Sequence, residues 1–327
     1  MFHALATGLV RLGAALACGA ALTLRATAAD YPLPAPGDDL IGELRVTLAR
    51  ADETLLDIAR RHDLGFNEIA AANPGIDPWL PGADARVVLP MQFVLPPGAR
   101  TGIVINLAQM RLFYFRDGSP RVITHPLGVA AELGATPLGS TSVVRKAVDP
   151  AWRPPQSIRA AHAAAGEILP QVVPPGPNNP LGRHALYLGF AGYLVHGTNR
   201  PWGIGMRVSG GCIRLYPEDI ESLYPEVPVG TRVRIVDEPF AVGLRNRAAY
   251  VQVFPQPDRD ASGRTYTPLV EALLRVAPNT TLDWDRVLRA AKEQRALPVP
   301  VGKSAPTLEQ VIAGAALAGP VDARGAR

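Results

Sequence analysis

Cysteine is nearly absent from this chain of 327 residues, which holds only Cys18 and Cys212. Charge is thin as well: 19% of residues are Asp, Glu, Lys or Arg, and the formal balance is +4. So mild a surface lacks the basic footprint that phosphate binding requires, which excludes nucleic acid as the partner. No apolar run reaches the ~20 residues of a membrane-spanning helix. No zinc-ligand spacing, phosphate-binding loop or internal repeat occurs, so the sequence calls for no metal and no cofactor. Glycine and proline abound instead, at 31 and 33 residues. That composition fits a loop-rich globular chain in two parts, not a helical bundle or a disordered segment.

The first residues set the compartment. Arg11 precedes an apolar stretch from Leu12 to Leu24, and Ala26-Thr27-Ala28 follows as a small-x-small cleavage signature. Residues 1–29 are therefore read as a signal peptide, and the mature chain as exported to the periplasm. An uncleaved anchor and lipidation at Cys18 are the alternatives, the leucine of Ala15-Leu16-Ala17-Cys18 standing one place from the lipobox position. Losing Arg11 and Arg25 with the leader takes the formal charge from +4 to +2. Cys18 goes too, leaving Cys212 alone as either a buried inert thiol or a reactive one.

The surroundings of Cys212 favour reactivity. Arg183 to Phe190 and Gly192 to Val195 read as two strands joined by a glycine turn, which places His196 at a strand end. After His196-Gly197-Thr198-Asn199 and a loop through Trp202 and Gly205 comes Ser209-Gly210-Gly211-Cys212-Ile213-Arg214-Leu215. Two glycines before the cysteine let backbone pass close to a ligand and aim amides at an oxyanion. Pro217-Glu218-Asp219-Ile220 then opens a helix. A cysteine between Arg214 and a helix start is expected to be stabilised as thiolate, the state of an activated nucleophile.

These blocks resemble the YkuD-type L,D-transpeptidases, in the periplasmic ErfK/YbiS-like branch that carries an N-terminal LysM-like module. Gly102 to Leu107, Arg111 to Phe115, Thr136-Pro137-Leu138-Gly139 and Gly176-Pro177-x-Asn179-Pro180-Leu181-Gly182 extend the likeness over roughly residues 40 to 255. The resemblance implies a peptidoglycan enzyme whose Cys212 attacks the stem tetrapeptide, releases the terminal D-amino acid and passes the thioester to an amine. His196 is implied as base, oriented by the carbonyl of Gly197, with the Gly211 and Cys212 amides as oxyanion donors. Arg214 is a candidate for binding a stem-peptide carboxylate or for supporting the loop, and Ser209 for substrate contact or loop geometry. Implied partners are peptidoglycan stem peptides and glycan strands, with an outer-membrane lipoprotein as an alternative acceptor. One position departs from the pattern: Gly210 stands where the family usually has histidine. A degenerate, glycan-binding domain and an L,D-carboxypeptidase that admits water therefore stay open as alternatives. His184 is read as a structural strand residue.

The rest divides readily. Residues 42–91 run strand, helix, helix, strand and look LysM-like, with His62 read as a surface helix residue. Residues 100–237 hold short β-branched runs between Gly and Pro, so the fold is expected to be mainly β, a sandwich-like catalytic domain. The proline-rich stretch from Asp149 to Asn179 is a candidate lid, with Trp152 and Trp202 as walls. Residues 238–327 form an extension without a functional reading. In it Tyr250 to Phe254 looks like a strand, and Tyr266 to Val276, Leu282 to Leu297 and Leu308 to Leu317 look helical, the last behind a Thr307-x-x-Gln310 cap.

Overall fold

The computed structural model describes residues 29–132, 135–256 and 265–319. The leader, its cleavage signature and the lipidation site at Cys18 lie outside the described residues. The architecture is mainly β, as the sequence predicts.

The catalytic region is built on a nine-stranded sheet, in the order Ala29–Pro32, Arg121–Pro126, Arg111–Phe115, Gly102–Asn106, Arg232–Val236, Gly139–Val148, His184–Leu188, Leu194–His196 and Ile213–Arg214. Strand Gly139–Val148 makes the sheet curl. Its first half pairs with Arg232–Val236 and its second with His184–Leu188, the register slipping between Val143 and Arg145. Ile103, Ile105, Leu112, Leu186, Val195, Ile213, Ile220 and Leu223 fill the core between this sheet and helix Pro217–Glu226. Their removal from water is the main force holding the curl closed.

The N-terminal module has the predicted order, Arg45–Leu48, Leu55–Arg61, Phe66–Ala72 and Arg86–Leu89. Thr54 caps the first helix in a reciprocal capping box with Asp57. Leu55, Ile58, Ala59 and Ile69 repeat at helical spacing and are buried with Phe93 and Phe113 of the adjoining strands. His62 is not a surface residue as the sequence reading has it. It caps the helix and is 4% exposed, because the chain turns there against the sheet.

The C-terminal extension is a small unit of its own layers. Phe240–Arg245, Ala248–Val253 and Pro298–Pro300 form a three-stranded sheet, and Thr267–Val276 and Trp284–Glu293 are its helices. Thr307 and Gln310 form the expected capping box. The helix behind it stops at Ala313, however, and Ala316–Leu317 is a strand lying parallel to Arg45–Val46. Helical spacing could not foresee that edge, which only the tertiary fold supplies. Leu44, Val46, Ala72 and Val88 of the N-terminal module share one core with Leu269, Leu273, Val287 and Leu308 of the extension.

Candidate active site

His196 ends its strand directly beside the cysteine loop. Strand Leu194–His196 runs parallel to Ile213–Arg214 with His196 opposite Arg214, and the Leu215 amide donates to the His196 carbonyl at 2.8 Å. The imidazole Nδ1 lies 2.6 Å from the Gly197 carbonyl oxygen. A carbonyl can only accept, so Nδ1 carries the hydrogen and Nε2 is left as the basic nitrogen. Burial, reinforced by the Arg214 charge, lowers His196 to about 4 against the partial support of the Gly197 carbonyl. The ring is therefore neutral at physiological pH.

Cys212 is half-buried, with Sγ 3.6 Å from the Gly192 carbonyl. Burial raises its thiol, and the Leu194 backbone and Arg214 only partly oppose this. The expected stabilised thiolate is thus corrected to a neutral thiol. Loss of water outweighs one nearby guanidinium, and helix Pro217–Glu226 begins only beyond Leu215 and Tyr216. Cys212 therefore holds a neutral thiol on the loop whose strand Ile213–Arg214 pairs with the His196 strand.

The loop is held by its own side chains. Ser209 Oγ donates to the Cys212 carbonyl at 2.6 Å and accepts from the Gly211 amide at 3.2 Å. The Gly211 amide expected to face an oxyanion is therefore engaged, and Ser209 braces the turn. Thr136 Oγ1 donates to the Gly211 carbonyl at 2.8 Å. Gly211 sits at φ +127°, where a Cβ would lie 3.2 Å from both the Ala135 oxygen and the Tyr193 ring. Only glycine fits there without strain. Below Gly197, the buried Asn179 side chain holds the carbonyls of Pro150 and Pro174 and the amide of Leu181, shaping the turn on which the His196 loop rests.

Arg214 is half-buried. Its backbone pairs with Gly128, and its Nε has no hydrogen-bond partner among the described residues. Burial lowers its guanidinium and the neighbouring Cys212 favours its charge. Gly210 has an ordinary φ, but a Cβ there would meet Ile158 Cδ1 at 3.0 Å. Ile158 belongs to helix Gln156–Ala164, which forms within the candidate lid and buries none of its side chains. Trp152 joins Val173 by a backbone bridge, and Trp202 is 60% exposed on the loop between His196 and Cys212. His184, on strand His184–Leu188, tilts its ring at 47° against Tyr224 with centroids 4.6 Å apart, and burial lowers its pKa.

The N-terminal module reaches this site, which no spacing in the sequence announces. Phe66 and Asn67 donate backbone bonds to Ile204 and Gly205. Arg60 forks onto Glu218 at 2.9 and 3.0 Å, and Tyr216 donates to the Leu64 carbonyl at 3.1 Å. Asp63, His125 and Asp219 bring one ligand atom each to within 4.8 Å of one another, a grouping that could hold a metal ion. Their distance along the chain hid them from the sequence reading.

Comparison with known proteins agrees with this geometry. The family profile of the L,D-transpeptidase catalytic domain, YkuD, matches residues 100–235. "Probable L,D-transpeptidase YbiS" of Escherichia coli K12 is 39% identical over 283 residues, covering 84% of this chain and 92% of that protein. The chain belongs to the L,D-transpeptidase family. "Probable L,D-transpeptidase YcfS" of Escherichia coli K12 is 42% identical over 74% of this chain and 77% of its own length. "Probable L,D-transpeptidase ErfK/SrfK" of Salmonella typhimurium is 36% identical over 86% and 94%. Among L,D-transpeptidases the likeness runs well beyond the YkuD region, into the N-terminal module and the extension.

Proposed function

We propose that this L,D-transpeptidase acts on peptidoglycan outside the cytoplasm, after removal of residues 1–29, and that Cys212 and His196 carry its chemistry. The observation that carries the reading is the Nδ1 bond of His196 to Gly197, which leaves a neutral basic nitrogen on the strand paired to the cysteine loop. Cys212 Sγ attacks the carbonyl carbon of the third stem-peptide residue while His196 Nε2 takes the thiol proton. The C–N bond to the terminal D-amino acid then breaks, and its nitrogen leaves with that proton. An amine acceptor attacks the thioester and gives a proton to His196; the C–S bond breaks, and the sulfur takes that proton to restore the thiol. The acceptor is a second stem peptide, giving a 3-3 cross-link, or a lysine of an outer-membrane lipoprotein.

The Cys212 amide is assigned to the oxyanion, since the Gly211 amide is occupied by Ser209. Arg214, whose Nε has no hydrogen-bond partner among the described residues, is assigned to a stem-peptide carboxylate. Residues 42–91 are assigned to the glycan strand as a LysM-like module, residues 100–237 to catalysis, and residues 238–327 to support of that module.

Incubating the chain with tetrapeptide-bearing muropeptides and weighing the products tests the proposal. Dimers that lose one D-amino acid each are the expected result. Tripeptides alone would make it an L,D-carboxypeptidase, and unchanged muropeptides would sink the catalytic reading.

A further inference from the structure

Two arginines stand beside the cysteine loop with nothing negative to face. The turn Pro201–Gly203 is entered at Arg200, whose amide donates to Thr198 Oγ1 at 3.0 Å. The Arg200 side chain is exposed and has no hydrogen-bond or ion-pair partner among the described residues. Arg214 approaches from the neighbouring strand. Gly128 bonds to the Arg214 backbone in both directions, at 2.8 and 2.9 Å. A Cβ on Gly128 would lie 3.0 Å from the Gly203 carbonyl oxygen and 3.4 Å from Arg214 Cβ. The turn that begins at Arg200 is thus packed against the base of Arg214 with only a glycine between them. Arg200 weakens the charge on Arg214, Cys212 supports it, and no carboxylate of the described residues acts on it. Two like charges held together without a counter-ion are unfavourable, and an anion brought from outside relieves them.

Position says which anion. Arg214 is registered against His196, and its charge is felt at the imidazole. Arg200 follows His196 on the loop that leads to Cys212. The pair therefore lies on the side of the base, where the leaving nitrogen must collect its proton. In a terminal amino acid that nitrogen and the α-carboxylate share one carbon, so the carboxylate oxygens lie within about 4 Å of it. Carboxylates further back along the stem peptide belong to the acyl side, which stays on Cys212.

We propose that Arg200 is a specificity-determining residue: with Arg214 it takes the free α-carboxylate of the terminal D-amino acid, so that the protein reads the end of the stem peptide before cutting next to it. The inference rests on the release of that residue proposed above, and it narrows the Arg214 assignment to one carboxylate. A guanidinium offers parallel N–H groups to such an anion, and two guanidiniums can share its two oxygens. A donor without that charge leaves the two arginines facing each other. A stem peptide whose end is amidated is then a poor donor.

The test is made on the protein carrying Cys212→Ala, which cannot turn over. It is titrated calorimetrically at low salt with a synthetic stem tetrapeptide ending in D-alanine, with its C-terminal amide, and with a form amidated instead at another carboxylate. The free acid is expected to bind at least about tenfold more tightly than the C-terminal amide. Adding Arg200→Gln should cut that ratio below about threefold while leaving affinity for the amide within about twofold. Arg200→Lys, which keeps the charge without the fork, should restore part of the ratio. If Arg200 only shaped the turn, its loss would weaken acid and amide alike, and that result overturns the inference. So would equal binding of acid and amide before Arg200 is changed, a ratio unmoved by Arg200→Gln, no binding of any form at millimolar concentration, or a preference that follows another carboxylate. Nothing is cut in these titrations, so inactivity on muropeptides would strike the catalytic reading alone.

Discussion

At the scale of single residues, the protonation of the Cys212–His196 pair sets how the protein should respond to pH. The folded His196 sits at about 4, below the ordinary 6.5. It therefore stays neutral and basic down to about pH 5, and acylation should fall only as pH drops through about 4. Stability follows the same sign. The unfolded histidine takes a proton near 6.5, so the contribution of the buried neutral ring is complete above that value and lost between 6.5 and 4. Following carbapenem acylation by intact-protein mass against pH should show the acid limb near 4, and a limb at 6 to 7 would mean that the ring is solvated. Cys212→Ala should abolish the adduct and all turnover while keeping the fold. His196→Gln should slow acylation by about 10²-fold or more, and His184→Phe should leave it within a small factor. Cys212 and His196 could be singled out because their signals are local: glycines before a lone cysteine and a histidine at a strand end. The thiol's protonation was not, because it depends on burial, which the residues on either side do not encode. Nor could spacing reveal Asp63, His125 and Asp219, which come from three separate elements.

At the scale of elements, helix Gln156–Ala164 and the cysteine loop explain each other. Glycine at 210 leaves room for Ile158, whose Cδ1 occupies the space a side chain would claim. Gly210→His should therefore displace a flexible side-chain end and not backbone, leaving thioester formation within a small factor. Ile158→Ser should open the cover over the loop and raise the share of tripeptide product, since the thioester would then meet more water. Product ratios from muropeptides, measured beside acylation rates, separate the two effects. An unchanged ratio would mean that the helix does not shield the intermediate. The stretch from Asp149 to Asn179 stood out as a candidate lid through its length and proline content. Its helix stayed hidden because it buries none of its side chains, so no apolar stripe marks it.

At the scale of the whole molecule, the extension is a second half of the N-terminal module's core. Leu308 is 6% exposed and packs in the same cluster as Val46 and Val88. Leu308→Ala should cost about 2–4 kcal/mol in urea unfolding, with little change in acylation at temperatures where the chain stays folded. The strand–helix–helix–strand order of the module was plain from apolar residues at helical spacing. Its dependence on residues near the other end of the chain was not, because a core shared by distant segments leaves no periodic mark in either.

The parallel pairing of Ala316–Leu317 with Arg45–Val46 joins positions roughly 270 residues apart, a closure that ranks among the slowest kinds of step in folding. A chain delivered from its N-terminus stays unlatched until Ala316 and Leu317 arrive. Products stalled or clipped before Ala316 would keep an open strand edge along Arg45–Val46, ready for proteases. The latch thus ties the closing of the Arg45–Leu48 edge to the arrival of a segment made long after it, an order built into how the molecule can assemble.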